Sequence, residues 1–311
     1  MKNRVIAFLL IALVAAVSLT PVAAQAQGLD ELTLSVSPPL FELTANPGDT
    51  IKNKIRLSNL SDQPQDITVS IKNFTAQGEE GGVELTEETT NFSLASWVTV
   101  DEESITIPAK KDHVFNFTVD VPTAAEPGGH FGSIIFRAET DPIKDGSGAA
   151  VSPEIGALLL VKVAGDIEEK GSIVEFFAKP SFYEKGPFYL VTRFKNQGNV
   201  HFKPRGTITF SNIFGQEVGN IEFDERNVLP DSIRRIENEW NPSGFRIGRY
   251  TATASLVYGA DDKIANATTT FWVIPWKQLL VLLAVLVVIV FIGVRYRDRF
   301  KEAYRALSGK K

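Results

Sequence analysis

From residue 30 to residue 274 the chain alternates apolar and polar positions in twos. Leu32 to Val36, Ile51 to Leu57, Ile67 to Ile71 and Val114 to Val121 follow this period, and Tyr189 to Phe194, Thr207 to Phe210 and Tyr250 to Leu256 follow it less strictly. A period of two puts one face of a strand in a core and the other in water. The strands are punctuated by Asn46-Pro47-Gly48-Asp49, Ser58 to Pro64, Glu126-Pro127-Gly128-Gly129 and Gly259-Ala260-Asp261-Asp262, residues that turn a backbone sharply. No helical period appears before residue 275. Short strands at this spacing predict an all-β chain of antiparallel sandwiches.

Two departures from the pattern mark the ends. Residues 1–26 open with Lys2 and Arg4, continue as an apolar run from Val5 to Val17, and close on Ala24-Gln25-Ala26. That is the form of an export signal, with Ala24 and Ala26 as the small residues before the cut and Gln27 as the mature start. An uncleaved N-terminal anchor is the weaker alternative, because the run is short for a bilayer span. From Gln278 to Val294 there is again no charge, and Arg295, Arg297, Arg299, Lys301, Arg305, Lys310 and Lys311 follow, opposed only by Asp298 and Glu302. A transmembrane helix over 275–294 is predicted, with Trp272, Trp276 and Tyr296 at the membrane interfaces and Lys277 snorkelling. The positive tail, residues 295–311, places the C-terminus in the cytoplasm and the body outside. That tail is read as a stop-transfer anchor, with a lipid or cytoplasmic partner as the alternative.

The central stretch divides into two similar halves. Ile55-Arg56-Leu57-Ser58-Asn59 and Thr192-Arg193-Phe194-Lys195-Asn196 each lead into a polar turn, and Ile107-Pro108-Ala109-Lys110 is answered by Leu229-Pro230-Asp231-Ser232. Each half then ends in a glycine turn and a hairpin. The expected fold is two tandem immunoglobulin-like sandwiches over 30–167 and 168–274, between a signal helix and a membrane helix. The boundary falls near Gly165–Gly171, where Asp166 to Lys170 interrupts the apolar pattern. The polar stretch from Thr140 to Ser152 is expected to be an exposed excursion from a hairpin.

Charge and composition narrow the function. The formal charge is −5. Lys277 and the tail hold eight positive charges against two negative, and the signal adds two positive, which leaves −13 on residues 27–276. An acidic body argues against nucleic acid as a partner and against docking on anionic polymers by bulk charge. The absence of cysteine removes thiol chemistry and points to a bacterial or archaeal surface rather than an animal one. The five Asn-x-Ser/Thr triplets at Asn59, Asn73, Asn91, Asn116 and Asn266 are read as chance.

Several phrases carry a family resemblance. They are Ala45-Asn46-Pro47-Gly48-Asp49-Thr50, Leu57 to Asp62, Ile105 to Lys110 and Pro127-Gly128-Gly129-His130-Phe131-Gly132. With them the first half resembles the peptidoglycan-binding domain of the WxL-interacting proteins. The second half is similar to that family's second domain through Leu229 to Ser232, Gly248-Arg249-Tyr250 and Thr270 to Val273. Asn196-Gln197-Gly198-Asn199-Val200-His201 departs from the family's phrases. The resemblance implies a first domain that faces peptidoglycan and a second that faces a surface-protein partner.

No catalytic or metal-binding set stands out. His113 is expected in a solvated turn, His130 projecting from a loop and His201 in a turn, without metal-ligand spacing. No Gly-x-Ser-x-Gly elbow or phosphate loop occurs. Glu79, Glu80, Glu84, Glu87 and Glu88 are read as a solvated hairpin face rather than a calcium loop. Trp97 is expected in the core, and Trp240, between Glu239 and Asn241, is the better candidate for an exposed sugar platform. No cofactor and no catalytic residue is expected. The chain reads as a non-enzymatic surface protein in contact with the bilayer, cell-wall polymer and a surface protein. The alternative is a chaperone-like accessory that completes a client's sheet at an open edge beside Pro127–Gly129.

Overall fold

The computed structural model describes residues 33–139 and 152–295. The signal segment with its cut at Ala24, Ala26 and Gln27, the stretch 140–151 and the tail from residue 296 lie outside them.

Alternation builds two pairs of packed antiparallel sheets. In the first pair, β1 (Leu34–Ser37), β3 (Thr50–Asn59), β8 (Asp112–Asp120) and β6 (Val98–Val100) form one sheet in the order β1-β3-β8-β6. The facing sheet has the order β2-β10-β9-β4-β5, with β2 (Leu40–Ala45), β10 (Glu154–Val163), β9 (Gly128–Ala138), β4 (Gln65–Gln77) and β5 (Gly82–Thr86). β7 (Ser104–Ile107) also pairs with β4. Between the sheets lie Ile55, Leu57, Phe115, Phe117, Ile134, Phe136 and their neighbours, all fully buried.

In the second pair, β11 (Gly171–Ala178), β13 (Phe188–Asn196) and β16 (Ile233–Trp240) pack on β12-β18-β17-β14-β15. Those five strands are β12 (Phe182–Tyr183), β14 (Arg205–Ser211), β15 (Glu217–Glu222), β17 (Gly248–Tyr258) and β18 (Lys263–Val273). Its core is aromatic, and Trp240 is at its centre. Trp240 is buried and stacks on Phe210 at 3.9 Å with the rings 8° apart. The candidate for an exposed platform is thus a core residue, because β16 alternates inward and outward and puts Glu239 out and Trp240 in. Trp97 is half-buried and packs against the first core, with its ring 4.2 Å from that of His130.

The two halves share one device that their sequences only hint at. In each, the opening strand changes sheets at a cis-proline: Ser37-Pro38 between β1 and β2, Lys179-Pro180 between β11 and β12. Both second pieces then pair in parallel with the last strand, β10 or β18. The Asn that ends β3 or β13 is buried and bonds across to the proline turn. Asn59 Nδ2 donates to the Ile107 and Pro108 carbonyls, and its Oδ1 accepts from Ser61 N–H. Asn196 Nδ2 donates to Val200 and Val228 carbonyls, and its Oδ1 accepts from Gly198 N–H. Lys110 and Asp231, at matching places in the turns, both have φ near +55°.

After β18 comes α1 (Trp276–Arg295), 20 residues long, exposed throughout, with a mean hydropathy of 2.8. At 1.5 Å per residue it covers about 30 Å, the thickness of a bilayer's hydrocarbon core.

Candidate interdomain binding cleft

The two pairs of sheets are joined by the segment that the sequence marked as foreign. Asn199 bolts three pieces of chain together. Its carbonyl accepts from Gly129 N–H at 2.8 Å, and its N–H donates to the Glu168 carbonyl. Its Oδ1 accepts from Glu168 N–H, and its Nδ2 donates to the Pro127 and Asp166 carbonyls. The approach is too close for side chains. A Cβ on Gly198 would fall 2.0 Å from the Glu168 carbonyl oxygen, and one on Gly128 would fall 2.6 Å from that of Asn199. Glu169, also buried, accepts from Ala260 N–H and from Lys162 Nζ, which ties the connecting segment to both sides.

A second bridge uses the acidic hairpin between β4 and β5. Arg193 donates to both carboxylate oxygens of Glu79, at 2.7 and 2.6 Å, and to Glu175 at 2.8 Å. Arg235 N–H donates to the Glu79 carbonyl, so the hairpin tip covers the edge of β16, and Arg235 also pairs with Glu80 at 3.0 Å. The Arg193 bonds hold the Glu79 carboxyl below its ordinary value. Glu79 is a clasp between domains, not part of the solvated face expected of it, while Glu80 reaches Arg235 from an exposed position. The bidentate fork is the geometry that makes Arg–carboxylate pairs directional.

Two of the histidines correct further expectations. His130 lies inside β9, buried, with Nδ1 3.2 Å from the Ser93 carbonyl and Nε2 2.9 Å from that of Glu126. His113 is on β8 rather than in a turn, half-buried, with Nε2 3.3 Å from Glu102. His201 follows β13 in the loop that contacts the first domain, edge-on to Phe131 at 5.6 Å. Burial pushes its imidazole down to about 4, Lys162 and Lys203 push the same way, and Glu42 opposes them.

Between these bridges lies a cleft of about 290 Å³. Its first-domain wall is apolar: Leu40, Phe74, Val83, Leu158 and Leu160. Phe74 and Leu160, with Phe131, form a small cluster on the outer face of the first domain's larger sheet. This is why β9 is buried on both faces. The second-domain wall supplies Leu229, Ile233 and three cations, Lys203, Arg226 and Arg234. Two of the cations are already paired: Lys203 with Glu42 at 2.7 Å and Arg226 with Asp224 at 2.8 Å. Glu42 is raised by burial, but the bonds from Lys203 and Asn227 outweigh that and hold it below its ordinary value.

Arg234 differs. Its guanidinium lies directly over Gly81, where a Cβ would fall 1.4 Å from Nη1. Its Nε is buried without a hydrogen-bond partner among the described residues. Burial and the nearby Arg226 pull the guanidinium below its ordinary value, and Glu80 and Asp224 oppose them. A buried donor without an acceptor is costly, on the order of 1–3 kcal/mol. A slot with one apolar wall and, on the other, a guanidinium whose Nε is unbonded among polar neighbours that include Glu225 suits a small apolar group that carries a carboxylate. Among the described residues no group of three or more His, Asp or Glu could hold a metal ion.

Residues 34–138 match the family model of the WxL Interacting Protein, peptidoglycan binding domain. The matched segment runs from β1 to the end of β9 and contributes Leu40, Phe74 and Val83 to the cleft. The second domain lies outside it. No curated protein matches the chain. Among solved structures, the chain is similar to one from a chaperone–tip adhesin complex of CFA/I fimbriae, at 14% identity and a TM-score of 0.40, over 76% of this chain and 98% of that one. It is also similar to the class 5 fimbriae chaperone CfaA (15%, 0.39, 76% and 98%) and the Pseudomonas aeruginosa CupB2 chaperone (9%, 0.34, 77% and 100%). Likeness at this level concerns the fold class and says nothing of function.

Proposed function

We propose that the chain is a non-enzymatic binding protein of the cell surface, anchored by α1, that holds cell-wall polymer through its first domain. The observation that carries this reading is the match of residues 34–138 to a peptidoglycan-binding domain. In this reading residues 30–167 and 168–274 are its two domains, outside the membrane, and the basic tail is inside. The second domain is left for a surface-protein partner.

The cleft refines the ligand. Peptidoglycan stem peptides are short chains of small residues with free carboxylates, which suits apolar walls and the unpaired Arg234. Recognition by one charge-assisted bond also accommodates an acidic body, since no bulk attraction is needed. Isothermal titration of the full chain with muropeptides, with and without amidated terminal carboxylates, tests it. Arg234→Gln is expected to weaken binding of the free-carboxylate form by about tenfold or more and to leave the amidated form unchanged. If Arg234→Gln changed neither affinity, the cleft would not be the site. The alternative of a chaperone-like accessory needs an open sheet edge beside Pro127–Gly129. β9, which begins there, pairs with β10 along its length and with β4 from Gly132 onward, and on its other side Gly129 N–H donates to the Asn199 carbonyl and Phe131 N–H to that of Phe92.

A further inference from the structure

Six large apolar side chains outside α1 are more than half exposed among the described residues, and five of them share one end of the second domain. They are Phe182 (64%), Ile213 (60%), Phe214 (79%), Phe245 (65%) and Ile247 (51%); the sixth is Ile264 (72%). The strand register places them. Ser211 pairs with Thr251 and Thr251 with Thr270, and Gly248 pairs with Val273. The turn after β14, the loop before β17 and the start of α1 therefore lie at the same end, and Phe182 pairs there with Trp272. Ile264 pairs with Val257, at the far end of the same hairpin.

This end is also where the helix leaves, and it leaves without slack. Only Ile274 and Pro275 separate β18 from α1, at most about 7 Å of chain. Ile274 N–H donates to the Tyr183 carbonyl, and Lys277 at the start of α1 pairs with Glu184 at 2.9 Å. A helix that crosses a bilayer would hold this end against the headgroups. Cations stand among the apolar groups: Lys185 and Arg246 line a hollow with Phe245 and Gln278, and Arg249 pairs across to Trp272.

We propose that the helix-bearing end of the second domain is itself a lipid-binding surface, with Phe214 and Phe245 sunk in the interfacial layer and Lys185, Arg246 and Arg249 at the phosphates. Exposed aromatics and cations at that depth each find a favourable place. The domain then sits flush on the membrane, with its first-domain partner held at a fixed height above. The inference rests on the reading of α1 as a membrane span.

The absence of cysteine makes the test simple. Single variants Phe214→Cys, Phe245→Cys and Ile264→Cys of the full chain, each carrying a polarity-sensitive dye, are reconstituted in vesicles of phosphatidylethanolamine and phosphatidylglycerol. Spin-labelled lipid with a shallow label is expected to quench the dyes at 214 and 245 about threefold or more above that at 264, which aqueous iodide reaches instead. Equal quenching by iodide at all three positions would overturn the docking. Alkaline extraction of the vesicles tests the span separately: a chain that is washed off refutes the span, and a chain that stays with iodide-accessible dyes refutes the docking alone.

Discussion

Asn196→Ala is expected to destabilise the second domain by about 2–5 kcal/mol. The side chain is fully buried and makes three bonds: two from Nδ2 to the carbonyls of Val200 and Val228, one accepted by Oδ1 from Gly198 N–H. Alanine leaves the Val200 carbonyl and the Gly198 N–H without partners and the Val228 carbonyl with only the 3.4 Å bond from Phe202 N–H, and each unpartnered group costs on the order of 1–3 kcal/mol. Asn196→Asp should be no milder, since it turns an acceptor toward both carbonyls. The matching Asn59→Ala should cost less, because two of its bonds, to Gln63 and Pro108, are only partly buried. Urea unfolding of a soluble chain ending at Val273 reads all three. A loss below about 1 kcal/mol for Asn196→Ala would show that the turn repairs itself, and would remove the argument for a shared stabilising device in the two halves.

Acid is expected to weaken the fold through His201. Its folded-state value is lowered to about 4, against about 6.5 in the unfolded chain. Between those values the unfolded state binds the extra proton, so stability falls as pH falls from about 6.5 to about 4 and levels off below. The full shift corresponds to at most roughly 3 kcal/mol. The charges that face the ring are Glu42, which favours its protonation, and Lys162 and Lys203, which oppose it. His201→Gln should flatten this part of the profile. Melts at pH 7.5 and 4.5 check it: equal losses for the variant and the parent would contradict the assignment. Since His201 sits against Phe131 of the first domain, the same titration should loosen the contact between domains.

The parts of the fold that were legible in the sequence follow from one-sided burial. β3, β4, β8 and β17 alternate because one face meets a core and the other meets water. The order Asn-turn, then proline turn, was legible as a repeat, though not its purpose, because the bonds from Asn59 and Asn196 close loops of 48 and 32 residues. β9 did not alternate, because the small cluster of Phe74, Phe131 and Leu160 covers its outer face. The polar neighbours of Trp240 make it a candidate for exposure, although the period of two in β16 already implies that Glu239 and Trp240 face opposite ways. Glu79 was misread because its partner, Arg193, is 114 residues away and no local signal announces it. The cleft was invisible for the same reason. It exists only because Leu40, Gly81 and Arg234 arrive from distant segments, and an unpaired arginine looks like any other in a sequence.

Whether the outer portion holds the wall is tested most directly by co-sedimentation of residues 33–273 with isolated cell-wall sacculi, beside residues 165–273 alone. Our account predicts that the two-domain chain pellets and that the second domain alone, which lacks the apolar wall of the cleft, stays in solution. A two-domain chain that remains in solution would contradict it.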